Sequence, residues 1–261
     1  MTEFLRANGR VHHYRFRAGL GARAVVFANS LGTDLRIWDK VIEGLPSEVP
    51  ILNYDKSGHG LSEPGAVTIA DYASDLASLM DALMLRDAMI CGVSVGGMIA
   101  QALAASRSDL VAYLVVCNTS HRIGSSESWA ERIAALDKTG LEDMADGILL
   151  RWFAKPFRDE HPDFVAGYRM MLTRTPKDVY RATCAAIRDA DLTQSTSRLT
   201  CPTLCVAGSD DLATPPDIVM AMSGLIQGAA YVCLEDVGHL PCIEVPDQLA
   251  ALLCKRLEAL P

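Results

Sequence analysis

Short apolar runs rich in β-branched residues recur along the chain: AVVFA (24–28), VPILNY (49–54), AMICGV (88–93), LVAYLVVC (110–117), TLCVAG (203–208) and AYVCL (230–234). Runs that are apolar on both faces belong to strands covered by helices on each side, so these six predict the core of a parallel sheet. Ahead of them, TEFLR and RVHHYRF flank Asn8-Gly9. That dipeptide suits the positive φ angles of a type I′ turn and predicts a β-hairpin. Between the strands the apolar spacing changes to three and four residues, most clearly over 69–85, where Ile69, Tyr72, Leu76, Leu79, Met80 and Leu83 recur behind a Thr68/Asp71 capping box. Another helix is predicted directly after Ser94, and a last one from near Pro246. The alternation predicts an α/β architecture with a mostly parallel, doubly wound sheet of about eight strands.

From 121 to 190 the alternation stops. Helical patterns dominate there, interrupted by KPF and HPD, and no strand is evident. This organisation predicts a core built from 1–120 and 191–261, with 121–190 inserted as a helical lid.

Composition narrows the functional classes. Half of the 261 residues are apolar, enough for a sizeable core, and the net charge is −8. An acidic chain lacks the basic face that nucleic acid or an acidic membrane requires, so neither is an expected partner. An anionic substrate would need a local cation. The eight cysteines, at 91, 117, 184, 201, 205, 233, 242 and 254, mostly lie inside apolar runs and read as free, buried thiols. Cys201 and Cys205 have no matching Cys/His pair nearby, so no metal site is expected. MTEFLRANGR has no apolar leader pattern, and no run reaches the ~18–20 apolar residues of a membrane span. The expected compartment is a reducing cytoplasm.

The densest chemical signal is CGVSVGGMIAQALA (91–104), in which Ser94 stands between Gly92 and Gly96 at the end of a predicted strand. A serine turned sharply from strand into helix needs small neighbours two residues away on each side, so that they do not collide with each other. The turn also aims the first helical amides at the space where an oxyanion would develop. Serine needs a histidine base and an acid that orients it. Of six histidines, only His239 lies beyond the last predicted strand, in EDVGHLPCIE, where the order Ser…Asp…His requires the base. His59, in DKSGHGLS, competes by local appearance but reads as a loop-shaping residue; His12, His13, His121 and His161 read as structural or solvated. Of the two acids in AGSDDLATPP, Asp211 is favoured over Asp210. The oxyanion donors are expected to be the backbone N–H groups of Val95 and Leu31, the latter in ANSLGTD with Asn29, Ser30 and Gly32 shaping the loop. The competing reading of that loop is a plain glycine-containing turn.

On these residues the chain resembles the α/β-hydrolase superfamily, and within it the 3-oxoadipate enol-lactonases. NSLGTDLRIWD, YDKSGHGLS, CGVSVGGMIAQ and AGSDDLATPP carry the likeness in the core, and VVCNTSHRIGSSESWAERI, LLRWF and CAAIRDADL carry it in the lid. The resemblance spans nearly the whole length. It departs at Asn29-Ser30, where many members have His-Gly, and at Pro241-Cys242, where polar residues are common. It implies serine hydrolysis of a small anionic lactone, the enol-lactone of 3-oxoadipate, in aromatic compound degradation, with no cofactor. The substrate carboxylate would then meet an arginine of the lid: Arg132, Arg151 or Arg188, with Trp129 and Trp152 as apolar walls. The competing reading has each arginine in a lid salt bridge and the tryptophans in the lid core. Alternative functions are another small-ester or lactone hydrolase or a perhydrolase of the same fold, or a hydrolase-fold ligand receptor.

Overall fold

Asn8 and Gly9 both take positive φ, 49° and 77°, and fold β1 (Glu3–Ala7) against β2 (Arg10–Arg17) as an antiparallel hairpin. In this computed structural model, which describes residues 2–21 and 23–259, the hairpin forms one margin of an eight-stranded sheet. The chain continues through β3 (Val25–Ala28), α1 (Asp39–Glu43), β4 (Ile51–Tyr54), α2 (Ile69–Ala82), β5 (Ala88–Val93), α3 (Val95–Ser106) and β6 (Val111–Cys117). Five helices follow: α4 (Ser126–Trp152), α5 (Lys155–Glu160), α6 (Pro162–Thr173), α7 (Lys177–Arg188) and α8 (Thr193–Thr196). The chain then returns as β7 (Thr203–Gly208), α9 (Pro216–Leu225), β8 (Ala230–Leu234), α10 (Pro241–Glu244) and α11 (Pro246–Glu258).

The strand order is β1-β2-β4-β3-β5-β6-β7-β8, antiparallel as far as β2/β4 and parallel from β4 onward. Strands β3, β4, β5 and β7 are buried along their whole length. Such strands need cover on both faces. One helical group packs α2 and α8 on α3, and a second packs α1, α10 and α11 together. β8 departs from the expectation of a fully covered strand: four of its five residues are only partly buried, because it closes the far edge of the sheet.

One helix boundary also differs from the sequence pattern. The periodicity runs through Leu83, but α2 ends at Ala82, because Met84 turns to a φ of 56° and the N–H of Leu85 folds back to the Met80 carbonyl, 2.9 Å away. The interruptions at KPF and HPD fall at junctions between helices, as the pattern predicts: α4 ends at Trp152 before α5, and α5 ends at Glu160 before α6. Pro156 and Pro162 stand in the first turns of α5 and α6, where the missing N–H costs nothing. Helix α4 carries a bend that the pattern did not reveal, at Gly140, whose φ is 83°. Its buried residues are Ile133, Leu136, Leu141, Ala145, Ile148, Leu149 and Trp152, and it packs on α6 and on α7, whose own buried residues include Tyr180, Thr183, Cys184 and Ile187.

This geometry gathers the loops after β3, β5, β6, β7 and β8 at the carboxyl end of the sheet, where open α/β sheets bind ligands. All eight cysteines are unpaired, and no helix among the described residues is long and apolar enough to cross a membrane.

The capping box expected at α2 is formed: the Thr68 hydroxyl accepts from Asp71 N–H at 3.1 Å, and the Asp71 carboxylate accepts from Thr68 N–H at 2.9 Å. Thr68→Ala is expected to lower the unfolding free energy by about 1 kcal/mol, read from urea unfolding, without changing hydrolytic rates.

Candidate active site

Ser94 joins β5 directly to α3 with φ 58° and ψ −124°. Its N–H donates to the Cys117 carbonyl at 3.0 Å, and its own carbonyl accepts from the Gly97 and Met98 N–H groups at 2.9 and 3.2 Å and from the Thr119 hydroxyl at 2.7 Å. A Cβ on Gly92 would stand 2.3 Å from the Gly96 carbonyl oxygen, the collision anticipated from the sequence. Gly96 is small for a different reason: its Cβ would stand 2.1 Å from the carbonyl oxygen of Ala28, at the end of β3.

The structure brings Asp211 and His239 together. The imidazole Nδ1 lies 2.8 Å from Asp211 Oδ2, with both side chains buried. Asp211 Oδ2 also accepts from the Thr214 hydroxyl at 2.7 Å and from Asn118 Nδ2 at 2.8 Å, and Oδ1 accepts from the N–H groups of Ala213 and Thr214 at 2.7 and 3.0 Å. Burial alone would raise this carboxyl, but the neighbouring imidazole and the convergent donors bring it below the usual carboxylate range. A carboxylate accepts only, so Nδ1 carries the hydrogen and the Nε2 lone pair is left free. Asp210 lies outside this arrangement; it is exposed, and its carboxylate accepts from Ser209 Oγ at 3.1 Å.

Ser94 and His239 line one cavity of about 450 Å³, together with Ser30, Leu31, Thr214 and the lid. No hydrogen bond joins their side chains. Such contacts are often long in the unliganded form and tighten once a ligand binds. Val95 is the first residue of α3, and Leu31 lies in the loop after β3, both beside the serine. His59 holds that loop, as its sequence context suggested: Nε2 accepts from Gly32 N–H at 3.2 Å, and Nδ1 lies 3.2 Å from the Ser57 carbonyl. Burial and the nearby Lys56 push His59 well below the ordinary imidazole range, so it stays a neutral acceptor.

The helical insertion between β6 and β7 supplies the other wall. Arg132, Arg151, Trp129, Trp152 and Glu131 all line the cavity. Arg132 donates to the Tyr180 hydroxyl and lies over the Trp129 and Tyr180 rings, 5.4 and 5.7 Å from their centroids. No carboxylate lies within salt-bridge distance of Arg132 or Arg151 among the described residues, and the Arg132 Nε is buried without a partner. Arg188 is different. It pairs with Asp189 at 2.7 Å, outside the cavity.

Two residues of the site escaped the sequence reading. Asn118, at the end of β6 with φ 46°, spans Asp211 and the Gly238 carbonyl, the latter at 3.0 Å. Glu244, in α10, accepts from Gly238 N–H at 3.1 Å and from Ala154 N–H at 2.9 Å, joining the lid to the residue before His239. Polar residues at strand ends and in short helices carry no periodic signal, which is why neither stood out. No group of three or more His, Cys, Asp or Glu among the described residues is arranged to hold a metal ion.

Comparison with known proteins identifies the family of the chain. The profile described as the Alpha/beta hydrolase family matches residues 25–252. The 3-oxoadipate enol-lactonases 1 and 2 of Acinetobacter baylyi are each 31% identical to this chain, over 87% and 85% of its length and 85% and 84% of theirs. The crystal structure of an enol-lactonase from Burkholderia xenovorans superposes with a TM-score of 0.93 at 35% identity, covering 98% of this chain and 100% of that one.

Burial pushes the Glu244 carboxyl up to about 7, against the pull of its N–H donors. The native state therefore keeps a proton that the unfolded chain releases near pH 4.3, and this contribution to stability is lost as the pH rises through the native value. Urea unfolding is expected to show the unfolding free energy falling between about pH 5 and about pH 7.5, with a shallower fall in Glu244→Gln.

Proposed function

The chain belongs to the alpha/beta hydrolase family and is an ester or lactone hydrolase, and from that premise we propose that it opens the enol-lactone of 3-oxoadipate to give 3-oxoadipate. One observation carries the substrate class: in an acidic chain, the cavity that holds Ser94 and His239 is lined by two guanidinium groups that have no carboxylate partner among the described residues. Guanidinium groups recognise a carboxylate through paired N–H donors, and the proposed lactone bears one beside its reactive ring. The kinship with the Acinetobacter 3-oxoadipate enol-lactonases supports the same substrate.

In this reading Ser94 Oγ attacks the lactone carbonyl carbon while His239 Nε2 takes the hydroxyl proton. Asp211 holds the ring in the required tautomer and stabilises the imidazolium that forms. The tetrahedral oxyanion is received by the Leu31 and Val95 N–H groups. Collapse breaks the ring C–O bond, and the departing enolate takes the proton back from His239. The ring opens without splitting the molecule, so the enol remains attached through the ester to Ser94. Water then gives its proton to His239 as its oxygen attacks the ester carbonyl, and Ser94 leaves with that proton. The released enol converts to the ketone in solution. Arg132 and Arg151 hold the substrate carboxylate throughout, with Trp129 and Trp152 excluding water around the ring.

Ser94→Ala is expected to abolish loss of enol-lactone absorbance, with a fall in kcat of about 10⁴ or more, while circular dichroism remains that of the unaltered protein. Arg151→Ala and Arg132→Ala should each weaken kcat/KM for the carboxylate-bearing lactone about tenfold and that for neutral phenyl acetate by less than about threefold. Equal losses on both substrates would remove the clamp from the proposal.

A further inference from the structure

Lys56 is a lysine with its whole side chain inside the protein, and the mechanism above does not use it. Its surroundings are specific. Nζ donates to the Ser30 carbonyl at 2.5 Å and lies 3.4 Å from the Thr33 carbonyl. The Ser30 carbonyl also accepts from the Thr33 hydroxyl at 3.0 Å and from Thr33 N–H at 3.3 Å. Three donors thus converge on one oxygen from the protein interior.

That oxygen belongs to the peptide joining Ser30 to Leu31. In a planar trans peptide the C=O and the following N–H point in opposite directions. An oxygen drawn inward by Lys56 therefore turns the Leu31 N–H outward, toward the cavity that Leu31 and Ser94 share. The next peptide is held independently, because Gly32 N–H donates to His59 Nε2. Donation to the Ser30 oxygen also polarises the amide and makes its N–H a stronger donor, as in any chain of hydrogen bonds. Either protonation state of the amine can donate in this way.

Resting on the oxyanion role proposed above for Leu31, we infer that Lys56 is a positioning residue of the reaction: acting through the Ser30–Leu31 peptide, it aims and polarises the N–H that receives the oxyanion. Its effect belongs to the transition state. Substrate binding in the ground state gains little from a donor aligned with a tetrahedral oxygen.

The test compares Lys56→Met, which keeps most of the volume and removes the donor, with Thr33→Val, which removes one neutral donor from the same oxygen. Both are measured for kcat and KM on phenyl acetate and for the Kd of benzeneboronic acid, which forms a tetrahedral adduct with an active serine. Lys56→Met is expected to lower kcat about 10²-fold, leave KM within about threefold, and weaken boronic acid binding in step with kcat. Thr33→Val should move the same quantities about three- to tenfold in the same direction. A folded Lys56→Met with kcat within about twofold of the unaltered protein, or with the loss confined to KM, overturns the inference, because a merely structural lysine would alter stability alone. If Lys56→Met does not fold, Thr33→Val decides, and unchanged kcat and boronic acid binding overturn it. The active-site reading is checked separately by Ser94→Ala: if the unaltered protein neither hydrolyses esters nor binds the boronic acid, that reading fails and this one falls with it.

Discussion

The corner at Ser94 is the constraint on which everything else rests. An L-residue at φ 58° and ψ −124° lies outside the favoured regions of backbone space. Such strain costs about 1–3 kcal/mol and persists only where the surroundings over-determine it. Here they do. The amide is tied to β6, the carbonyl is capped by the first turn of α3 and by Thr119, and two glycines let the corner press against itself and against β3. The compression presents a hydroxyl, rather than backbone, to the cavity.

The electrostatics of the site are divided between two depths. Below the cavity, Asp211 is surrounded by donors from three different loops, which keep a buried carboxylate charged so that it can orient an imidazole. Above it, Arg132 and Arg151 bring positive charge without the carboxylates that elsewhere in this chain neutralise arginines, as Asp81 does for Arg107 at 2.8 Å or Asp34 for Arg36 at 2.6 Å. Burial and the nearby Arg132 both lower Arg151. In the proposed reading, the substrate carboxylate would relieve that repulsion.

Much of this was legible along the chain. The strands could be read because their covered faces demand unbroken apolar runs, and the hairpin because Asn8-Gly9 supplies two positive φ angles. Ser94, Asp211 and His239 could be placed in order because each follows a strand whose carboxyl end faces the same way. Asn118 could not: its contact with Asp211 joins positions 93 residues apart, and nothing near it in the chain marks an asparagine at a strand end as special. Lys56 was hidden for a similar reason, since a lysine between Asp55 and Ser57 reads as an exposed loop residue until the fold closes over it. The end of α2 was misjudged because the apolar period outlasts the backbone that carries it.

The helical insertion is fastened to the loop that carries His239. His239 N–H donates to the Trp152 carbonyl at 2.8 Å, and Glu244 ties Ala154 to Gly238, so the junction between α4 and α5 shares its hydrogen bonds with the loop that carries the imidazole. A flap swinging on residues 152–154 would drag the imidazole's backbone anchor along with it. Any widening of the chamber that leaves the Asp211–His239 contact intact must therefore arise away from this seam.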